Sequence, residues 1–108
     1  MAQSTPLPAG TTEATSTDIT VAVGSTAKVG LFVSTGATWD GISPKAALYI
    51  TEDTPGADQN VVVGGVEAVL NVNNRSVLLG PGVYNVYRPS IAGLVPTGHV
   101  GIGVFAES

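Results

Sequence analysis

The chain has 108 residues, a length that corresponds to one domain. Only 11% of its residues are charged, against about 25% in an ordinary soluble domain, and the formal net charge is −4. Because it has no cysteine and only four scattered basic residues, a disulfide framework and a thiolate zinc site are excluded, and neither nucleic acid nor an anionic membrane is expected as a partner.

The first seventeen residues are rich in Ser, Thr, Pro, Ala and Gly and carry almost no apolar side chains. Such a segment does not bury enough surface to fix its own conformation, which predicts a flexible or extended N-terminal arm over residues 1–17. Two interpretations of the arm stay open: a floppy terminus, or a segment that orders against a neighbouring subunit. The folded domain is then expected over residues 18–108.

Alternation of apolar and polar residues begins at Asp18 and predicts short β-strands separated by turn-forming residues. The predicted strands cover residues 18–23, 26–34, 45–52, 60–63, 66–72, 75–79, 83–88 and 99–105, with a two-residue Gly-Gly hairpin at 64–65. In the last strand Gly101 and Gly103 share a face, which indicates close packing by a side chain or another backbone. Seven or eight short antiparallel strands without helical periodicity indicate a sandwich or a small barrel. Of the two we expect a single all-β sandwich, either immunoglobulin-like or jelly-roll-like.

The chain carries few residues suited to catalysis or metal binding. The chain has one histidine, His99, and no Gly-x-Ser-x-Gly motif that would present a serine nucleophile to it. We therefore interpret His99 as a surface or interface residue. Glu52, Asp53 and Asp58 flank a Pro-Gly turn but lack the alternating Asp/Asn pattern of a calcium loop, so solvated turn carboxylates are expected. The sequence therefore predicts no enzyme, no catalytic residue, no metal site and no cofactor.

The aromatic side chains are the candidates for a binding face. Trp39 lies in a loop of small residues, where its ring either anchors a partner or a sugar, or folds back to cap one end of the sandwich. Tyr84 and Tyr87 fall on opposite faces of one predicted strand, so at most one of them belongs to the core.

Several segments together resemble a known group of proteins. They are the strand around Ile19–Val21, the pair Leu31 and Phe32, the turn at residues 54–58 and the Gly-Pro-Gly-x-Tyr-x-Val-x-Arg-Pro segment at 80–89. The combination resembles small virion proteins of tailed bacteriophages, of the head decoration (cement) type. The likeness leaves out the N-terminal arm and the loop around Trp39.

The resemblance implies a structural protein of the capsid surface, made in the host cytoplasm, that binds the assembled head and bridges major capsid protein subunits. Copies of the chain itself are further expected partners, as a trimer or another homo-oligomer. The alternatives are a structural protein of the head–tail joint or tail, and a receptor- or carbohydrate-binding module that uses Trp39 and the tyrosines. The predicted partner-binding residues are Thr11, Thr12, Glu13, Thr15, Ser16, Thr17 and Trp39.

Overall fold

The computed structural model describes residues 3–52, 62–63, 66–67 and 69–107 of the chain. The strands in chain order are β1 (Gln3–Gly10), β2 (Ala14–Thr15), β3 (Ile19–Val21), β4 (Ala27–Val33), β5 (Leu48–Glu52), β6 (Val62–Val63), β7 (Val66–Glu67), β8 (Val69–Leu70), β9 (Ser76–Leu79), β10 (Gly82–Arg88) and β11 (Ile102–Glu107). A single 3-10 turn (Ala92–Leu94) lies between β10 and β11. Within the described ranges, no helix is long and apolar enough to cross a membrane.

Nine of these strands form two antiparallel sheets, which confirms the predicted all-β sandwich. Sheet A has the order β1-β11-β4-β9, and sheet B has the order β2-β10-β5-β8. Strand β3 pairs with the beginning of β10 and β2 with its end, both on the side away from β5. The chain crosses from one sheet to the other at most connections, so both sheets depend on segments from the whole length of the chain.

The core lies between the two sheets and follows the alternation of the sequence. On β10, Tyr84 and Val86 are buried, whereas Val83 is exposed and Tyr87 is half-buried on the opposite face. The prediction that at most one of the two tyrosines is in the core is therefore confirmed. The largest fully buried side chains are Val29, Leu48, Ile50, Leu70, Leu79, Val86, Ile91, Ile102 and Val104.

The turn before β10 is tied to that strand by a tyrosine. The Tyr84 hydroxyl shares its one proton between the carbonyl oxygens of Gly80 (3.0 Å) and Pro81 (3.2 Å). A tyrosine that bonds the backbone a few residues upstream is a recurrent device at corners of β-sandwiches. It gives the polar end of this buried side chain its partners while the ring contributes to the core.

The expected division into an arm over residues 1–17 and a sandwich over residues 18–108 is corrected by the structure. Residues 3–10 form β1, an edge strand of sheet A with Leu7 buried, and Ala14–Thr15 form β2 in sheet B. The low content of apolar side chains in residues 1–17 had predicted an arm. A strand with few of them is held here by backbone hydrogen bonds to β11 and β10, which composition does not report.

The β6–β7 pair has the register expected for a two-residue hairpin, because Val63 lies opposite Val66. The turn residues 64 and 65 lie outside the described residues. So do residues 53–61, which include the predicted turn with Asp53 and Asp58.

The last strand begins later than predicted, at Ile102 rather than at His99. Gly101 has φ of +132°, a conformation that favours glycine, and its α-carbon faces the Gly10 carbonyl of β1. The ring of Phe32 lies against Gly103. The predicted close packing on this glycine face is confirmed, with a backbone against Gly101 and a side chain against Gly103.

We predict that Gly101→Ala destabilises the fold by about 2–4 kcal/mol, because a Cβ adds backbone strain and overlaps the Gly10 carbonyl. The measurement is urea denaturation followed by the fluorescence of the single Trp. Gly80→Ala is the control: nothing lies within 4 Å of its Cβ position, and it should stay within about 0.5 kcal/mol of the wild type. Equal stability of the two variants would contradict the proposed contact.

Candidate partner-binding surface

The N-terminal segment is attached to the sandwich by one buried arginine. Arg88, the last residue of β10, is 4% exposed. Its Nε donates to the Thr12 carbonyl (2.8 Å), and its Nη1 donates to the carbonyls of Pro8 (2.8 Å) and Ile102 (2.8 Å). One guanidinium thus joins β1, the segment after it and the beginning of β11 to sheet B.

The charge of Arg88 is stabilised by backbone dipoles. Within the described residues, its hydrogen bonds all go to main-chain carbonyls rather than to carboxylates. Burial lowers the pKa of Arg88 from its ordinary value, but an arginine starts so far above neutral pH that it keeps its charge. The five donors and planar shape of a guanidinium suit it to several carbonyls at once, which a lysine ammonium does not match.

Ser16 is a second attachment point of the segment. It is 7% exposed, its backbone N–H donates to the Val86 carbonyl (2.8 Å), and its Oγ accepts from the Val86 N–H (2.8 Å). The next residue, Thr17, donates its N–H to the Pro6 carbonyl on β1 (3.1 Å). Ser16 therefore supports the segment from inside and is not available to a partner.

The other predicted residues of the segment reach the surface. Thr12, Glu13, Thr15 and Thr17 are exposed, and Thr11 is half-buried with its carbonyl accepting from the Ile91 N–H (2.8 Å). The result is an ordered strip of hydroxyl groups, with one carboxylate, along the side of the sandwich where β1 passes into β2. We call residues 11–17 the N-terminal strip.

A carboxylate of the N-terminal strip is held by β10. The Tyr87 hydroxyl donates to the Glu13 carboxylate. This hydrogen bond raises the pKa of Tyr87, with smaller contributions from desolvation and from the negative charge of Glu13. Asp18, just after the strip, accepts from the Asn85 side-chain amide (2.9 Å). Outward-facing side chains of β10 thus fix the positions of two acidic groups.

Trp39 lies away from the N-terminal strip. Its half-buried ring packs against the core, and the Arg75 guanidinium stacks over it with 4.4 Å between the Arg75 Cζ and the ring centroid. Arg75 directly precedes β9, the edge of sheet A opposite β1. The structure therefore separates Trp39 from the other predicted partner-binding residues and favours the ring as a cap over a freely exposed anchor.

His99 lines a shallow groove of about 320 Å³ between residues 34–38 and 97–100. Its Nε2 lies 2.9 Å from the Thr38 carbonyl oxygen, and the nearby Ser34 Oγ accepts from the Val100 N–H (3.2 Å). The Ser34 hydroxyl and the His99 ring are each engaged with backbone groups rather than with one another. Among the described residues, no group of three His, Asp or Glu lies close enough to hold a metal ion.

Sequence reasoning missed Arg88 and Arg75 as structural residues. The signal for Arg88 was present, because the alternation of β10 puts it on the buried face with Tyr84 and Val86. A charged residue on the buried face of a strand requires several hydrogen-bond partners. The stacking of Arg75 on Trp39 has no local signal, because it joins residues far apart in the chain.

We predict that Arg88→Met destabilises the protein by about 2–4 kcal/mol, because it leaves three carbonyls of the N-terminal half and β11 without their donor. Urea denaturation gives the stability, and hydrogen exchange should show faster exchange in residues 3–12. Arg75→Met, which removes an exposed cation, should cost less than about 1 kcal/mol. A stability of Arg88→Met equal to that of the wild type would contradict this prediction. It would mean that water replaces the guanidinium as the hydrogen-bond donor to those carbonyls.

We predict that Tyr87 titrates above the ordinary tyrosine value of about 10 and that Glu13→Gln lowers the pKa of Tyr87. Absorbance at 295 nm between pH 8 and 13 measures it, with Tyr87→Phe identifying the group. Because the folded-state pKa is raised, the stabilisation from this pair is present below the unfolded value and is lost as the pH rises through the folded one. An unchanged titration in Glu13→Gln would contradict the hydrogen bond.

Comparison with protein-family models, with curated proteins and with solved structures found no match to this chain. A functional assignment therefore depends on the residues and contacts of the chain itself.

Proposed function

We propose that this chain is a structural virion protein, a capsid decoration protein that binds the assembled phage head and bridges subunits of the major capsid protein. The observation that carries the proposal is the N-terminal strip, which is exposed, rich in hydroxyl groups and already ordered by Arg88 and Ser16. A surface that is ordered before binding loses little conformational entropy when a partner contacts it.

The composition supports the same proposal. Only 11% of the residues are charged, and the exposed part of the strip offers Thr hydroxyls and a single carboxylate. Each copy brings one charged side chain of the strip, Glu13, to such a contact, so few like charges face each other there. The segments that resemble phage virion proteins include β3, part of β4 and all of β10, and β10 holds the strip through its contacts with Ser16 and Glu13.

The proposed mechanism is mass action. A protein that binds the assembled shell and not its dissociated subunits stabilises the shell by about 2.7 kcal/mol per site when its free concentration is a hundredfold above its Kd. Repetition over the lattice multiplies this contribution. The proposal includes association with copies of itself, as a trimer or another homo-oligomer, on the capsid surface.

The alternatives keep the same fold in a different place or with a different partner. Attachment at the head–tail joint or the tail differs from decoration only in its location on the particle. For a carbohydrate-binding module, the Trp39 ring would have to release Arg75 before a sugar stacked on that face. The contact between Trp39 and Arg75 therefore favours the virion proposal over the sugar-binding one.

We predict that the purified chain co-sediments with bare heads of its phage and saturates them at a fixed number of copies per capsomer. Thr15→Arg, an exposed change on β2, should weaken binding about tenfold or more, because a bulky charge enters the contact. Ser25→Arg, exposed at the β3–β4 turn near the other end of β10, is the matched control and should bind as the wild type does.

The location of binding separates the alternatives. Binding to purified tails and not to heads would move the protein to the tail. Binding to neither particle would overturn the virion proposal. A glycan array, with Trp39→Ala as its control, would then test the carbohydrate-binding alternative.

A further inference from the structure

The two outer edges of sheet A differ in how well they are protected from pairing with another strand. The β1 edge carries Pro6 and Pro8, which have no N–H to donate, and its pairing with β11 is interrupted by two register shifts. In addition, the Pro6 carbonyl accepts the N–H of Thr17. This edge is closed to a further strand.

The β9 edge has none of these features. Its sequence, Ser-Val-Leu-Leu, contains no proline and no charge, and its register with β4 runs without interruption over four residue pairs. In the part of the chain that the structure describes, β4 is the one strand that pairs with β9. Regular, uncharged edge strands are the ones that accept another strand.

The backbone groups that β9 offers follow from its pairing with β4. The Leu31 N–H donates to the Arg75 carbonyl (2.8 Å), so these two residues form a hydrogen-bonded pair. Hydrogen-bonded and non-hydrogen-bonded pairs alternate in antiparallel sheets, which makes Val77 and Leu79 the β9 residues bonded to β4. The N–H and C=O groups of Ser76 and Leu78 therefore point away from β4.

The side chain of Leu78 adds an apolar contact at the same edge. It is 60% exposed on the outer face of sheet A, opposite Lys28 of β4. Ser76, two residues earlier, lies on the same face and is also exposed. Among the described residues, nothing pairs with these two sets of backbone groups, and the large apolar side chain beside them is exposed.

We propose that β9 pairs antiparallel with β9 of a second copy of this chain about a two-fold axis. Ser76 lies opposite Leu78 of the second copy, and the two Val77 residues face each other at the axis. This register forms four backbone hydrogen bonds and joins the two four-stranded sheets into one continuous sheet. The two Leu78 side chains become diagonal neighbours on the outer face, about 7–8 Å apart and within contact range for long side chains.

The partner is a second copy because β9 is complementary to itself. Its free groups at positions 76 and 78 are symmetric about Val77, as an isologous interface requires. The strand carries no charge, so self-pairing sets no like charges directly opposite each other. The two Lys28 residues have two strands between them in the joined sheet, which separates them by three strand spacings or roughly 14 Å. That distance exceeds the screening length of about 8 Å in physiological salt.

The proposed dimer is weak, because pairing three residues of each strand buries far less than the roughly 1,200–2,000 Å² of a stable interface. The fraction of chains in the dimer rises where copies are held close together, because a high local concentration compensates for a weak affinity. The inference does not depend on the proposed function and holds wherever the chain acts.

The test is sedimentation equilibrium of the full chain up to about 1 mM. Ser76→Pro removes an outward N–H without touching the bonds to β4, and Leu78→Lys places like charges near the axis. We expect the wild type to dimerise and both variants to raise the dimer Kd at least about tenfold. Val100→Lys alters an equally exposed apolar residue, at 63% exposure against 60% for Leu78, and should leave the Kd unchanged.

Circular dichroism checks that each variant keeps its fold, and slower exchange of the Ser76 and Leu78 amides at high concentration places the contact on β9. A wild type that stays monomeric to about 1 mM overturns the inference. A trimer, or any oligomer, that neither variant weakens also overturns it, and that result leaves the capsid proposal standing.

Discussion

The buried guanidinium of Arg88 is the interaction on which the arrangement of the two sheets depends. The N-terminal segment supplies β1 and β2 but has few apolar side chains, so burial of apolar surface contributes little to holding these two strands in the sandwich. Arg88 supplies directional hydrogen bonds instead, to Pro8, Thr12 and Ile102. Because the carbonyls belong to separate segments, one side chain sets both the position of β1 beside β11 and the path of the chain from sheet A into sheet B.

This attachment makes the two sides of the sandwich unequal. On the β1 side, prolines, register shifts and the hydrogen bond from Thr17 to Pro6 use or remove the backbone groups that another strand would need. On the β9 side, the described chain leaves a regular apolar strand with Leu78 exposed. Side-chain contacts with a partner are therefore expected at the N-terminal strip, and backbone pairing at β9. The two kinds of contact do not compete for the same residues.

The sequence predicted the features that repeat locally and missed those that join distant segments. Alternation placed Tyr84 and Tyr87 on opposite faces of one strand, and the Gly101 and Gly103 pattern indicated close packing; the structure confirms both predictions. Composition suggested a flexible or extended arm because it reflects apolar side chains and not backbone hydrogen bonds. Ser16 was predicted to bind a partner, whereas the structure buries it against β10. Its partner on β10 is remote in sequence, so no local pattern marks the pairing.

The order of the N-terminal strip also decides how binding and folding are related. An arm that orders only on assembly would spend part of its interaction energy on its own ordering, and its affinity would depend on the stability of that local structure. Here residues 11–17 are tied to β1, β10 and the 3-10 turn region in the single chain. Their free energy of ordering belongs to folding rather than to binding. Loss of Arg88 should therefore weaken any contact made by the strip without altering the chemistry of its exposed Thr and Glu side chains, because it returns that ordering cost to the binding step.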